Sequence, residues 1–575
     1  TSLFEYRKSI FQLEEKPSEI IKDAAWFADS WIIDPTIQGA LVTLDGITDF
    51  FDFQYNYSEV LTSETNYRVA FNFLDIEDLG SEDELYIKLN SRGRPLTDFE
   101  NFKARFISRV HEIDTKLAND IALKLDTKWT DTIWRFDKNR FDINFLNLFE
   151  IALINNLDSL DYSQRENWTT NILFEDIKLE HIELIARVLD FLTENENSKV
   201  SQVLEKAITS KSIKDRVYFH FISLYLFHSG TVLDDKFKSW YRIFRNLTDN
   251  SEINSQERYE RAIRGINEQI NHLSDLIYYL SQNNKITGFS IEQVNEEIEK
   301  AKLIIEDPTQ SEVIFNAENH VYFGGQIRSS FYFEDSDSTT DKYSKISSYW
   351  DKISAMFEAT KPKEGILLRT ALLSFGDYTL YVESYKTLCQ DDPNESSRTP
   401  SLKRLFSSKN QYVKKILDSI DINKPLELEY KRIIKENINS IDEQDWRYIF
   451  ILYYKLMFSK MNRSHYRLKA PNGTGRPDEM LLIPNKNSRA RNTDIHLLAL
   501  QEKLKEFNIK SDYESQPSLD TLDRVLHVEK IYEVRFYKDC YKFKKYEDEK
   551  YSRLNNSPAS FIKLAEYLRN ELNDK

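Results

Sequence analysis

Glycine and proline are scarce in this chain, with thirteen of each in 575 residues. A β-rich protein of this length needs many tight turns, and these are the residues that form them most easily. Their scarcity favours long helices joined by short polar loops. Cysteine is rarer still. Cys389 and Cys540 can build neither a disulfide framework nor a four-thiolate zinc site, so a reducing compartment is the simplest setting. No run approaches the roughly 18 uninterrupted apolar residues that span a bilayer. The opening TSLFEYRKSI also lacks the apolar core of a signal peptide. The expected location is cytoplasmic, with no membrane partner. The chain opens at Thr1, without a methionine and in what reads as the middle of an element, as an excerpt or a processed chain would. Positive charge is in short supply too: 78 Lys and Arg stand against 94 Asp and Glu, a formal charge of −16. That excludes a globally basic nucleic-acid binder and leaves room only for a local patch.

What is abundant is apolar and aromatic. The 32 Tyr and 36 Phe supply large contact areas for packing helices on one another. At roughly 100–200 residues per domain, three to five units are expected. Apolar spacing predicts helices at about 82–90, 97–112, 117–127 and 142–156, and several more between 177 and 305. Further helices are expected at 344–359, 363–373, 411–421, 427–439, 443–460, 495–506 and 558–573. The best strand is Tyr67–Leu74, rich in β-branched and aromatic residues. Gly324-Gly325 suggests a small β excursion within Val313–Phe333, and 461–492 reads as a loop. The expected fold class is mainly α and multi-helical.

The most informative run is Leu85 to Ala104. A helix leads into Asn90, Gly93 can take the left-handed conformation that stops it, and Pro95 prevents continuation. Thr97 and Glu100, three residues apart, form a capping box that starts the next helix. Phe99, Phe102, Phe106 and Val110 then form an apolar stripe at helical spacing. Arg92 and Arg94 sit on the bend, where a short Arg-bearing loop before a helix can hold an anion. The other reading is a capped hairpin with solvated arginines, which Asp98 and Glu100 favour because acids in a first helical turn repel phosphate.

This segment resembles the second signature of the GmrS-type nucleotide-binding family of phage-restriction proteins. There, an apolar helix leads into Asn-x-x-Gly-x-x-Leu and then an acidic-aromatic helix. Asn90, Gly93 and Leu96 match, and Phe99-Glu100 and Lys103-Ala104 extend the match toward the subgroup string "YIK-N-RG-PLT-FENFKA". Phe4-Glu5-Tyr6-Arg7, Trp26-Phe27, Ser30-Trp31 and Asp34-Pro35-Thr36-Ile37 recur in the same order in that subgroup. Lys128-Trp129-Thr130, Trp240-Tyr241-Arg242, Phe375-Gly376-Asp377-Tyr378 and Asp445-Trp446-Arg447-Tyr448 also look like its landmarks.

The resemblance implies a nucleotide-binding domain related to the ParB/sulfiredoxin fold, here as a small α+β remnant near the N-terminus. It also implies nucleoside triphosphate binding or hydrolysis, with Mg, that controls restriction of phage DNA. A separate nuclease or a self-associating copy would be the partner. The implied nucleotide site is Asn90, Arg92, Gly93, Arg94 and Thr97. The family's first signature, Asp-Gly-Gln-Gln-Arg, is absent: the one Asp-Gly pair, Asp45-Gly46, runs into Ile47 and Thr48. This chain alone is therefore not expected to hydrolyse nucleotide. On this reading residues 1–115 hold the C-terminal part of the nucleotide-binding domain and 116–310 a helical domain. Residues 311–440 form a mixed, mostly helical domain, and 441–575 a C-terminal helical domain with a basic loop.

That basic loop, 461–492, carries Arg467, Lys469, Arg476, Arg489 and Arg491 among its cations, and Tyr466, Asn472 and Gly473 are placed to stack on or approach a nucleic-acid strand. A solvated linker is the alternative. No His pair, His-x-x-x-His or His-x-x-Pro motif marks an HNH nuclease, and acid pairs such as Asp234-Asp235 and Asp391-Asp392 read as solvated loops. Two functions of other classes stay open beside nucleotide sensing: a non-enzymatic helical scaffold, and a DNA-binding module working through 461–492.

Overall fold

The computed structural model describes residues 16–50, 96–157, 168–210, 212–230, 233–333, 339–382, 385–394, 399–443, 445–469, 480–484, 493–517, 522–537, 540–555 and 560–574. They belong to two compact units, Thr1–Leu96 and Thr97–Lys575. In the first, Pro17 opens a short helix, Pro17–Lys22, and Pro35 opens a longer one, Pro35–Phe50. Proline suits a first helical turn, where its missing N–H would lack a partner anyway. Asp34 Oδ1 accepts from Thr36 N at 2.7 Å at the start of the longer helix, and Ser18 N donates to Asp45 Oδ1 at 2.9 Å, tying the two helices. The strand expected at Tyr67–Leu74 and the helix at 82–90 lie outside the described residues.

The second unit is mainly helical. The helices expected from apolar spacing are found at Asp98–Ile113, Thr115–Asp126, Phe141–Ile154, Thr339–Met356, Gly365–Phe375, Gln411–Ser419, Leu426–Ile438, Ile495–Glu506 and Phe561–Asn573. The single aromatic helix expected at 443–460 is two, Trp446–Leu452 and Tyr454–Ser459. The Phe99, Phe102, Phe106 and Val110 stripe is buried as its spacing requires. Phe99 stacks on Phe145 at 4.6 Å, and Phe102 and Phe106 meet Phe149 at 4.9 and 5.0 Å. The partner helix, Phe141–Ile154, is apolar on nearly every face and runs through the middle of this core. Buried apolar side chains form two clusters, one drawn from Phe99 to Ala301 and one from Leu303 to Leu568.

All strands described are antiparallel and lie within 380–545. One sheet has the order β1 (Leu380–Val382), β2 (Tyr385–Thr387), β3 (Ser464–Lys469), β4 (Met480–Pro484) and β5 (Thr493–Asp494). The other is a meander of β6 (Ser511–Pro517), β7 (Leu522–Val528), β8 (Tyr532–Phe536) and β9 (Tyr541–Lys545). Two expectations are corrected here. The segment read as a loop, 461–492, contributes β3 and β4, because Tyr466 and Leu468 alternate into the core opposite Leu482 and Met480. The β excursion expected in Val313–Phe333 is instead a helix, Ser311–Glu318, followed by turns and the 3-10 turn Arg328–Phe331. Gly324 and Gly325 take φ of 53° and 90° there, and a Cβ on Gly325 would meet Asn246 Oδ1 at 2.2 Å. Gly325 serves a close approach to the neighbouring helix that carries Asn246.

Because Phe102 fills space between two helices, Phe102→Ala is expected to destabilise the protein by about 3–5 kcal/mol. Leu123→Ala, at a position 64% exposed, is expected to stay within about 0.5 kcal/mol of wild type in the same denaturant titration.

Candidate functional site

At the start of the Asp98–Ile113 helix, Thr97 Oγ1 accepts from Glu100 N at 3.2 Å and Glu100 Oε2 accepts from Thr97 N at 2.7 Å. Both halves of the capping box are present. Thr97 therefore spends its backbone N–H on the cap, and Lys103 pairs with Asp126. Asn90, Arg92, Gly93 and Arg94 lie outside the described residues.

Of the basic residues read from 461–492, Arg467 and Lys469 are on β3, while Arg476, Arg489 and Arg491 lie outside the described residues. The Arg467 guanidinium sits 3.9 Å above the Tyr385 ring of the neighbouring strand. Tyr466, expected to stack on a nucleic-acid strand, is fully buried, with its hydroxyl donating to Met457 O at 2.8 Å. It belongs to the core, since the strand period turns Tyr466 inward wherever Arg467 faces out. Asp234 is more than a solvated acid. It caps the Asp235–Asp249 helix, accepting from Phe237 N at 2.8 Å and from the Tyr225 hydroxyl at 2.5 Å. Asp391 pairs with Arg369 at 3.3 Å. Among the described residues, no three His, Cys, Asp or Glu side chains gather as metal ligands, and no helix is long and apolar enough to cross a membrane.

The densest chemistry lies where no sequence motif marks it. Helix Asp235–Asp249 presents Arg242 and Asn246 one turn apart, and helix Ile291–Glu306 presents Gln293, Glu296, Glu297 and Lys300. Glu318, the last residue of Ser311–Glu318, completes the group. All are buried. The Lys300 ammonium donates to Glu297 Oε1 at 2.8 Å and to Gly325 O at 2.6 Å, and lies 3.0 Å from Glu318 and 3.2 Å from Glu296. Arg242 Nη1 reaches Glu318 at 2.7 Å and Glu297 at 3.2 Å. Asn246 Nδ2 donates to the same two carboxylates at 2.9 and 3.0 Å. Ile327 N donates to Glu296 Oε1 at 2.6 Å. Three carboxylates thus face two buried cations, with Arg328 at the rim, 3.9 Å from Glu296.

Burial alone would neutralise each of these groups, and their partners decide which way each one moves. For Glu297, burial is outweighed by Lys300 and Arg242 and by hydrogen bonds from Lys300 and Asn246, which hold its carboxyl below the usual 4.5. For Glu296, burial wins over Lys300 and the Ile327 N–H, and its carboxyl is pushed up. Burial pulls Lys300 toward its neutral form, but the three glutamates together keep it charged. A sequence signal did exist: Glu296, Glu297 and Lys300, at helical spacing, share the helix with Val294, Ile298 and Ala301, so that its polar residues also face the interior. Such a cluster can hold helices in one register; with every member buried, it is not built to turn over a substrate.

Lys300→Met leaves three buried carboxylates short of a cation, and a loss of about 3–5 kcal/mol is expected in thermal or denaturant unfolding. Glu297 is stabilised in its charged form, so its contribution is full at neutral pH and fades as pH falls below 4.5; the gap between wild type and Glu297→Gln should close over that range. Glu296 has the opposite sign. Its charged form is disfavoured in the fold, so Glu296→Gln should gain on wild type as pH rises from 4.5 toward neutrality. Unfolding midpoints across roughly pH 2–8 would check both trends.

No family model matches this chain, and neither a curated protein nor a solved structure matches it.

Proposed function

We propose that this protein is the nucleotide-sensing component of an anti-phage DNA-restriction system, working with a separate nuclease or with further copies of itself. The reading rests on the resemblance of residues 85–104 to the GmrS-type signature. The observation that carries it is the helix start at Thr97, which closely follows Asn90 to Arg94 in the sequence. Thr97 and Glu100 close a complete capping box, and Phe99, Phe102 and Phe106 anchor the helix in the core. A phosphate-binding segment gains most when the element beside it is rigid, because the binding energy is then not consumed in ordering the chain. In this reading Arg92 and Arg94 neutralise the phosphates of a nucleoside triphosphate carried with Mg. Asn90 contacts the nucleotide or orders the bend, and Gly93 lets the backbone come close. Residues beyond Thr97 would serve recognition, assembly or effector output.

The test is calorimetric titration of each common nucleoside triphosphate, with Mg, into the protein expressed from its whole gene. Arg92→Ala is expected to weaken binding at least tenfold, since a charge-assisted hydrogen bond contributes about 1.5–3 kcal/mol, with the unfolding midpoint unchanged. Asn90→Ala should weaken it in the same direction. If every nucleotide binds both variants as it binds wild type, the assignment is removed and the helical scaffold becomes the better reading.

A further inference from the structure

We infer that the outer face of β8 and β9 is a binding strip for single-stranded nucleic acid. In the four-stranded sheet, Tyr532 reaches Glu571, Phe543 packs on Tyr567 and the Tyr541 hydroxyl donates to His496 O, so the helices Phe561–Asn573 and Ile495–Glu506 cover one face. Side chains alternate along strands, so Glu533, Arg535, Lys542 and Lys544 must point to the other face. The register pairs Arg535 with Lys542 and Glu533 with Lys544. Tyrosines are interleaved with these cations: Arg535 and Lys544 lie 5.1 and 5.4 Å from the Tyr551 ring, and Lys542 lies 4.8 Å from the ring of Tyr537, which is 41% exposed. Glu533 is engaged by the Tyr551 hydroxyl at 2.8 Å and by Lys544 at 3.7 Å, leaving the strip with a local positive excess in a chain of −16.

Cations at strand spacing beside the exposed Tyr537 ring and the half-buried Tyr551 ring match the two needs of an unpaired strand, phosphate neutralisation and a surface on which bases stack. A duplex offers its phosphates but not its base faces, so the exposed Tyr537 ring favours the single strand. The β6 edge of the same face carries Asp512 and Glu514, opposite His527 and Val525, which confines an anionic ligand to the β8–β9 half.

The experiment is fluorescence anisotropy of a labelled oligothymidylate of about 15 nucleotides, a length within the range such surfaces occupy. With three phosphate contacts, raising salt from about 50 to about 200 mM should weaken binding roughly 20-fold. Arg535→Gln/Lys542→Gln/Lys544→Gln should remove most of the binding and flatten the salt dependence. Tyr537→Leu should loosen it roughly tenfold and leave the salt slope unchanged. Asp512→Asn/Glu514→Gln should tighten it, a gain that loss of folding does not produce. No binding at the lower salt, equal binding by the triple variant, or preference for a duplex of the same sequence would each overturn the inference.

Discussion

Moving a charged group out of water costs several kcal/mol unless partners replace the solvent, and this chain moves five such groups into one place. Arg242, Glu296, Glu297, Lys300 and Glu318 have side chains at most 10% exposed. Their attraction offsets the cost only while three helices and the Gly324-Gly325 turn hold the donor and acceptor atoms within about 3 Å of one another. The apolar clusters on either side tolerate small shifts of packing. The ionic group does not, because the interaction of like and unlike charges at these distances changes sign with the pairing. It therefore ties helices Asp235–Asp249, Ile291–Glu306 and Ser311–Glu318 into one register.

Helix type and position are the readable part of the sequence, because long apolar stripes such as Phe99 to Val110 admit one geometry. The capping box at Thr97 is readable for the same reason: two side chains, three residues apart, satisfy each other's backbone. The meander in 511–545 is much harder to see, although Leu526 and Val528, Tyr532 and Val534, and Tyr541 and Phe543 alternate inward at period two. Runs of Lys and Glu on the outward positions emphasise charge and hide the alternation. Tyr466 misleads similarly: cations on either side of it suggest a basic loop, while its strand neighbours make it core. The ionic cluster is visible only in part, since the helical spacing of Glu296, Glu297 and Lys300 says nothing of Glu318 or Arg242 until the chain is folded.

Four of the landmarks that carry the resemblance outside residues 85–104, Trp129, Trp240, Tyr378 and Asp445, have a physical explanation of their own. Trp129 and Trp240 are fully buried, with the Trp240 indole N–H donating to Phe221 O at 2.8 Å, and Tyr378 is buried as well. Asp445 caps the Trp446–Leu452 helix through Arg447 N at 2.9 Å. These residues are anchors and caps.

Helix Ile291–Glu306 is unusual in what it serves. Val294, Ile298 and Ala301 belong to one apolar cluster, Leu303 and Ile304 to the other, and the charged row between them to the ionic group. A rod lodged in both masses at once leaves no seam along which they could part. Melting either cluster would pull that helix from the other, so the two halves of the second unit are committed to fold, and to fail, together.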